Sequence, residues 1–103
     1  MKNRHHIGHL KDIPRLGSRV ISTEQGEIAI FRTTEDSVFA VSNRCPHKSG
    51  PLSEGIVYGH TVTCPLHNLR LNLENGQAIA PDEGCVKQFT VHVDASGELF
   101  LEM

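Results

Sequence analysis

Two short motifs near the middle of the chain combine cysteine, proline and histidine. Cys45-Pro46-His47 follows the apolar run VFAV, and Cys64-Pro65-Leu66-His67 follows TVT. Thiolates and imidazoles are the usual ligands of transition metals, and each motif offers one of each. Since a single short hairpin is predicted between the motifs, their loops can lie side by side. The sequence therefore predicts one metal site whose ligands are Cys45, His47, Cys64 and His67.

The arrangement of the four ligands bears on which metal they bind. Two cysteines and two histidines also suit tetrahedral zinc, but such zinc sites usually take both cysteines from one knuckle and both histidines from a helix. Here each loop supplies one cysteine and one histidine. That pattern favours a 2Fe–2S cluster in which two cysteines hold one iron and two histidines hold the other, as in Rieske centres. Zinc, or no metal, is the alternative.

The remainder of the chain has the pattern of short strands separated by turn residues. Gly59-His60 and Asn75-Gly76 each predict a tight two-residue hairpin turn. No stretch of ten or more residues keeps a helical apolar repeat, so an all-β antiparallel sandwich or small open barrel is expected. The predicted strands are RVIS, EIAIF, VFAV, IVY, TVT, LRLNL, QAIA, FTVHV and ELFL.

Composition limits the function classes. The chain has 103 residues and a formal net charge of -2, so one domain over residues 1–103 is expected, without a basic surface for nucleic acid or an anionic membrane. No apolar run approaches the roughly 20 residues of a membrane helix. The first ten residues lack the apolar centre of a signal peptide, so a cytoplasmic location is expected. Three cysteines, an odd number, argue against a disulfide framework.

Other residues with reactive side chains are expected to have ordinary roles. Cys85 precedes a predicted strand and is expected to be buried as a small apolar residue. His60 in a turn and His92 on the polar side of its strand are expected to be solvated. The N-terminal histidines are expected on a polar edge strand or a frayed terminus; they are His5, His6 and His9.

The two motifs and their flanks carry a family resemblance. CPHKSGPLSEG and CPLHNLRLNLENG together resemble a Rieske 2Fe–2S ferredoxin-type domain. APDEGCVKQFTVHV, with GPLSEGIVYG and VTCPLHN, resembles the small subunit of bacterial assimilatory NAD(P)H-dependent nitrite reductase over about residues 19–101. The resemblance implies a Rieske-type antiparallel sandwich with a two-loop cluster-binding subdomain, its loops at about residues 44–55 and 63–71. It also implies a large partner subunit with flavin, a 4Fe–4S cluster and sirohaem that reduces nitrite to ammonium.

Three functions follow as hypotheses. The first is an electron-transfer subunit of such a nitrite reductase, with no catalytic residue of its own. The second is a stand-alone Rieske ferredoxin that passes electrons from a flavin reductase to a ring-hydroxylating oxygenase. The third is a redox-silent zinc-binding interaction module. The segment APDEGCV favours the first over the second.

The resemblance also bears on the reduction potential and on the contact surface. High-potential relatives have a disulfide between the two loops and hydroxyl groups that donate to the cluster and ligand sulfurs. At the disulfide positions this chain has Gly50 and Leu66, and at the hydroxyl positions it has Leu69 and Leu71. Without those donors, a potential toward the low end of the roughly −150 to +300 mV Rieske range is expected. The histidine edges are expected to be the electron port, with a contact surface formed by Lys48, Leu52 and Leu69.

Overall fold

The computed structural model describes residues 4–24, 26–44, 51–64, 69–79 and 84–102. Their regular structure consists of β-strands and two 3-10 turns, Leu10–Asp12 and Leu52–Glu54. The expected all-β class is confirmed. The strands are β1 (Arg4–His9), β2 (Ser18–Thr23), β3 (Gly26–Arg32), β4 (Val38–Ser42), β5 (Ile56–Tyr58), β6 (Thr61–Thr63), β7 (Arg70–Asn72), β8 (Gln77–Ala78), β9 (Gln88–Val93) and β10 (Glu98–Glu102).

The strands form two antiparallel sheets. A six-stranded sheet has the order β1-β10-β9-β4-β3-β2, and a four-stranded sheet has the order β5-β6-β7-β8. The four-stranded sheet is a simple meander inserted in the chain between β4 and β9. Both predicted ligand motifs fall within this insertion, one in the β4–β5 connection and one in the β6–β7 connection. This is the two-loop subdomain that the resemblance implied.

Strand β3 is buried on both faces and separates two hydrophobic clusters. Within its sequence, GEIAIFR, the central run IAIF is continuously apolar and buried, as expected of a strand covered on both sides. Ile28 and Ile30 face a cluster that we call the sheet core, which comprises Ile13, Ile28, Ile30, Ala40, Phe89, Leu99 and Leu101. Ala29 and Phe31 face the loop core, which comprises Ala29, Phe31, Val41, Leu52, Val57, Val62, Cys64, Leu69, Leu71 and Leu73.

The composition of the two cores explains the arrangement of the sheets. Leu99 and Leu101 of β10 pack with Ile28 and Ile30 of β3, although β9 and β4 lie between these strands in the sheet. The six-stranded sheet therefore curls over the sheet core. The four-stranded sheet covers the other side of β3 and β4, where it encloses the loop core.

One of the two predicted hairpin turns is confirmed, and the other is wrong. Tyr58 pairs with Thr61 across Gly59-His60, and the φ of 59° at Gly59 is a backbone conformation that favours glycine. In the second hairpin, Asn72 pairs with Gln77, so the connection has four residues, 73–76, instead of two.

The burial of Leu73 explains the longer connection. Its side chain is 1% exposed, and its N–H donates to the carbonyl of His60 at 2.8 Å. Gly76, at φ 72°, then closes the turn by donating its N–H to the carbonyl of Asn72 at 2.7 Å. An apolar side chain drawn into the core therefore overrides the local preference of Asn75-Gly76 for a two-residue turn.

The N-terminal histidines lie where the polar edge strand was expected, because β1 is an edge strand that pairs with β10. His6 pairs with the carboxylate of Glu98. His9 places its Nε2 2.7 Å from the carbonyl oxygen of Ser96. These contacts fasten the edge strand to the body of the six-stranded sheet.

His60 and His92 were expected to be solvated, but each imidazole has a carboxylate partner. Nδ1 of His60 lies 2.8 Å from Oε1 of Glu74, and Nε2 of His92 lies 2.7 Å from Oε2 of Glu102. About a third of each imidazole side chain is exposed. The cross-strand and cross-turn pairs form because the sheet register brings distant residues together, which local sequence does not reveal.

Candidate metal centre

The structure describes one of the four predicted ligands. Cys64 directly follows β6, and its side chain is fully buried at 0% exposure. Cys45, His47 and His67 lie outside the described residues. Within the described ranges, no group of three or more His, Cys, Asp or Glu side chains is arranged to hold a metal ion. The described part of the site therefore consists of the bases of its two loops.

The base of the second loop is a hairpin. β6 and β7 pair antiparallel, with Thr63 opposite Arg70. One residue further along, the N–H of Cys64 donates to the carbonyl of Leu69 at 2.7 Å, and Leu69 is itself buried. The backbone on both sides of residues 65–68 is thereby fixed. Cys64 has a defined position because the strand pairing continues up to it.

Hydrogen bonds between the side chains of Asn43 and Ser18 and the backbone of Ser53, which we call the Asn43 bracket, fix the base of the first loop. The side-chain Oδ1 of Asn43, two residues before Cys45, accepts the N–H of Ser53 at 2.8 Å. The hydroxyl of Ser18 in β2 donates to the carbonyl of the same Ser53 at 2.7 Å. Asn43 is itself held by β3, since its N–H donates to the carbonyl of Glu27 at 2.9 Å. The residues before and after the first ligand motif are thus tied to each other and to the six-stranded sheet.

The bases of the two loops touch each other at Gly55. A Cβ placed on Gly55 would lie 2.4 Å from the carbonyl oxygen of Thr63 and 2.9 Å from Cγ2 of Val62. Only glycine permits so close a backbone approach. The chain that leaves the first loop therefore lies against the strand that leads into Cys64. The bases of the two loops are therefore adjacent, and the predicted juxtaposition of the loops themselves falls outside the described residues.

The described side chains that share a buried cluster with Cys64 are apolar. Leu52, Leu69 and Leu71 belong to the same buried core and are at most 2% exposed. The expectation that Leu52 and Leu69 form an exposed contact surface is therefore wrong. Leu52 points inward because the 3-10 turn packs onto the loop core, and the third residue expected in that surface, Lys48, lies outside the described residues.

Cys85 is exposed, so the expectation that it is buried is also wrong. It forms an isolated antiparallel bridge with Gln77 of β8, the edge strand of the four-stranded sheet. The N–H of Val86 donates to the carbonyl of Gly76 at 2.8 Å, which holds this segment along the edge. An edge position leaves the Cys85 side chain facing solvent.

The clear pKa shifts among the described residues lie in the β3–β4 turn. In the β3–β4 turn, a hydrogen bond from Arg15, supported by Arg32, lowers the pKa of Asp36, and Asp36 in turn raises the pKa of Arg15. These charges stabilise the turn between two core strands. The described side chains that cluster with Cys64 are apolar, and its own side chain is shielded from water.

The donor set fits a 2Fe–2S group. A fully buried thiol at the base of one loop and a bracketed base on the adjoining loop are consistent with a cluster held between the two. The roles of Asn43, Ser53 and Ser18 were not evident from the sequence. Asparagine and serine beside strands are common in ordinary turns, so their types do not reveal these hydrogen bonds.

Comparison with known proteins identifies relatives over almost the whole chain. Residues 4–101 match the model of the Rieske-like [2Fe-2S] domain. The ferredoxin component of the naphthalene 1,2-dioxygenase system of Pseudomonas putida is 31% identical over 75 residues, which are 72% of this chain and 71% of that protein.

Two solved structures have similar folds. The E. coli protein NirD is 28% identical with a TM-score of 0.85, over 100% of this chain and 98% of that chain. The NADH-dependent nitrite reductase small subunit assigned in Mycobacterium tuberculosis has a TM-score of 0.88 over 100% of this chain and 96% of that chain. At 19% identity, the second likeness establishes the fold alone.

Proposed function

This chain belongs to the family of Rieske-like [2Fe-2S] domains, with a 2Fe–2S cluster as its cofactor and electron transfer as its role, and from that premise we propose that it is the small subunit of an NAD(P)H-dependent nitrite reductase. Its partner would be a large subunit that carries flavin, a 4Fe–4S cluster and sirohaem and reduces nitrite to ammonium. The small subunit would supply no catalytic residue.

The similarity to NirD, a nitrite reductase small subunit, carries the proposal. It extends over 100% of this chain and 98% of the other, at 28% identity and a TM-score of 0.85. The match therefore spans the two-sheet architecture. The segment APDEGCV, which resembles nitrite reductase small subunits, supports the same assignment.

We propose that the cluster is held by Cys45, His47, Cys64 and His67 within a single domain that spans residues 1–103. When bound by these two thiolates and two imidazoles, the cluster would supply one-electron transfer. Cys64 would offer its thiolate from a fully buried position. The apolar loop core would exclude water on that side, and the bracket at Asn43 would fix the base of the first loop.

A low reduction potential is part of the proposal. Leu69 and Leu71 occupy the positions where high-potential relatives have hydroxyl donors, and both side chains are buried and apolar. A hydrogen bond to a cluster sulfur stabilises the more negative, reduced state, so its absence lowers the potential. A cytoplasmic location is also proposed, because the NAD(P)H that would supply the electrons is found there. Within the described ranges, no helix has the length and apolar character to cross a bilayer.

A second candidate function has its own support. At 31% identity, the Pseudomonas putida ferredoxin component indicates a carrier that delivers electrons to a ring-hydroxylating oxygenase. Both candidates require a 2Fe–2S cluster, so the spectrum of the cluster cannot separate them. A redox-silent zinc module loses its support, since the family is defined by the 2Fe–2S cluster.

The test is co-purification followed by electron transfer. The chain with an affinity tag is isolated from its own organism grown on nitrate, and large proteins that co-purify are examined for sirohaem. We expect a sirohaem protein that oxidises NAD(P)H with nitrite, and a midpoint potential of the small subunit below zero. Recovery of an oxygenase instead of a sirohaem protein, together with a midpoint well above zero, would overturn the assignment.

A further inference from the structure

The outward side of the four-stranded sheet has two unusually exposed apolar side chains. Ile56 is 74% exposed and Tyr58 is 85% exposed. The other exposed large apolar side chains of the described residues, Leu16, Val20 and Val93, range from 38% to 47%. Exposed apolar patches on a small domain commonly mark sites of protein contact.

The strand register extends this patch into a continuous surface. Ile56 lies opposite Thr63, which lies opposite Arg70, so these three side chains form one row across β5, β6 and β7. A second row begins at Tyr58. Because paired residues share a face, the whole surface, which we call the outer face, comprises Ile56, Tyr58, Thr61, Thr63, Arg70, Asn72 and Gln77.

The outer face has one charge. Arg70 is exposed, and it makes no ion pair with any side chain in the described ranges. None of the seven residues of the outer face is acidic. Arg and Tyr are among the residues enriched at the energetically important centres of protein interfaces. The complementary surface therefore has an apolar area and a carboxylate.

The outer face borders the candidate metal centre. Thr63 immediately precedes Cys64, and Arg70 immediately follows Leu69. The row Ile56, Thr63 and Arg70 is thus the row nearest to the base of the second loop. A protein seated on this face would lie beside the loop that contains two of the proposed ligands.

We propose that the outer face is a docking surface for the large nitrite reductase subunit, an inference that rests on the proposed function. The partner would place an apolar surface against Ile56 and Tyr58 and a carboxylate against Arg70. A second copy of this chain fits less well, because two outer faces in contact would leave both Arg70 guanidinium groups without an acid. Two large apolar side chains suit a small redox interface more than a permanent dimer.

The experiment measures binding of the purified large subunit to the cluster-loaded chain by titration calorimetry. The outer-face variant combines Ile56→Ser and Tyr58→Ser. Its matched control combines Val20→Ser and Val93→Ser, which remove two exposed apolar side chains from the six-stranded sheet. We expect about tenfold weaker binding for the outer-face variant. The control should bind within about twofold of the unmodified chain.

The charge is tested separately. Arg70→Gln should weaken binding and reduce its dependence on salt, because an exposed ion pair is screened by salt. Arg4→Gln, on the edge strand of the other sheet, is the control and should leave the salt dependence unchanged. For every variant, the electron paramagnetic resonance spectrum and the urea midpoint establish that the cluster and the fold are intact.

The possible failures are distinguishable. If the unmodified chain does not bind the large subunit, the docking surface and the proposed function are both overturned. If it binds and the outer-face variant binds equally well, only the docking surface is overturned. If the unmodified chain is dimeric by sedimentation equilibrium and the outer-face variant is monomeric, the occupant is a second copy and the proposal is again overturned.

Discussion

The sheet core and the loop core are built from similar apolar side chains, but they differ in what lies beside them. The sheet core contains aliphatic and aromatic residues contributed mainly by strands of the six-stranded sheet. The loop core contains Cys64, and also Leu52, which directly precedes Ser53 of the Asn43 bracket. Among the described residues, the sheet core contains no predicted cluster ligand, whereas the loop core contains Cys64, which is one. The cost of losing the cluster should therefore be concentrated in the loop core.

Removal of one proposed ligand is expected to have the largest effect. His67→Ala should abolish the Rieske electron paramagnetic resonance signal, whose mean g lies below the free-electron value, and reduce iron and sulfide per chain. Far-UV circular dichroism should show that most of the strand structure remains, since the described residues of the sheet core include none of the predicted ligands. Cys85→Ala is the control, because Cys85 is exposed at a sheet edge, and it should retain the full signal.

Paired truncations in the two cores test the comparison directly. Leu71→Ala in the loop core and Leu101→Ala in the sheet core each remove a fully buried leucine. Each should lower the free energy of unfolding by about 2–5 kcal/mol, measured by urea denaturation. Only Leu71→Ala should also speed the loss of iron to a chelator. Equal rates of iron loss would mean that the two cores are not energetically distinct.

The bracket at the first loop should have a smaller effect. Asn43→Ala removes the acceptor of the Ser53 N–H and should cost about 1 kcal/mol. We expect faster iron loss with little change in the unfolding cooperativity. Asn75→Ala is the matched control, since its Oδ1 also accepts a backbone N–H, that of Gln77 at 2.9 Å, but in a turn away from this loop. Iron loss from that variant should match that of the unmodified chain.

The smallest effect concerns pH and the β3–β4 turn. The hydrogen bond from Arg15 lowers the pKa of Asp36, so its stabilising effect is complete above the usual carboxyl range near pH 4 and is lost as the pH falls through the lowered value. Asp36→Asn should remove this part of the pH dependence of the urea midpoint. Asparagine tolerates the φ of 67° at this position, so the substitution isolates the charge.

Much of the architecture follows from local patterns. The apolar run EIAIF predicted β3, and the glycine of Gly59-His60 predicted the β5–β6 turn, because in both cases the residues that decide the structure are adjacent in sequence. The donor types of the metal centre could likewise be read directly, and all four ligands remain predictions. Cysteine and histidine are recognisable by type, independently of the fold.

Features decided by packing were not predictable in the same way. The burial of Leu73 lengthened a turn, and the inward packing of the 3-10 turn buried Leu52. The position of Cys85 on a sheet edge exposed a residue that its type had suggested would be buried. In each case the outcome depends on which surface a distant strand covers, and a local sequence pattern does not contain that information.

The double burial of β3 has a consequence for isotope exchange. Its amides are shielded on both faces by the two cores and bonded on both edges by β2 and β4. Deuterium can reach such amides only when the whole molecule opens, so their exchange rates measure global unfolding. Amides of β6, whose pairing continues into the second loop, would exchange through a more local opening. The difference between the amide exchange rates of β3 and β6, measured with and without iron, would show how far the cofactor stabilises the entire chain.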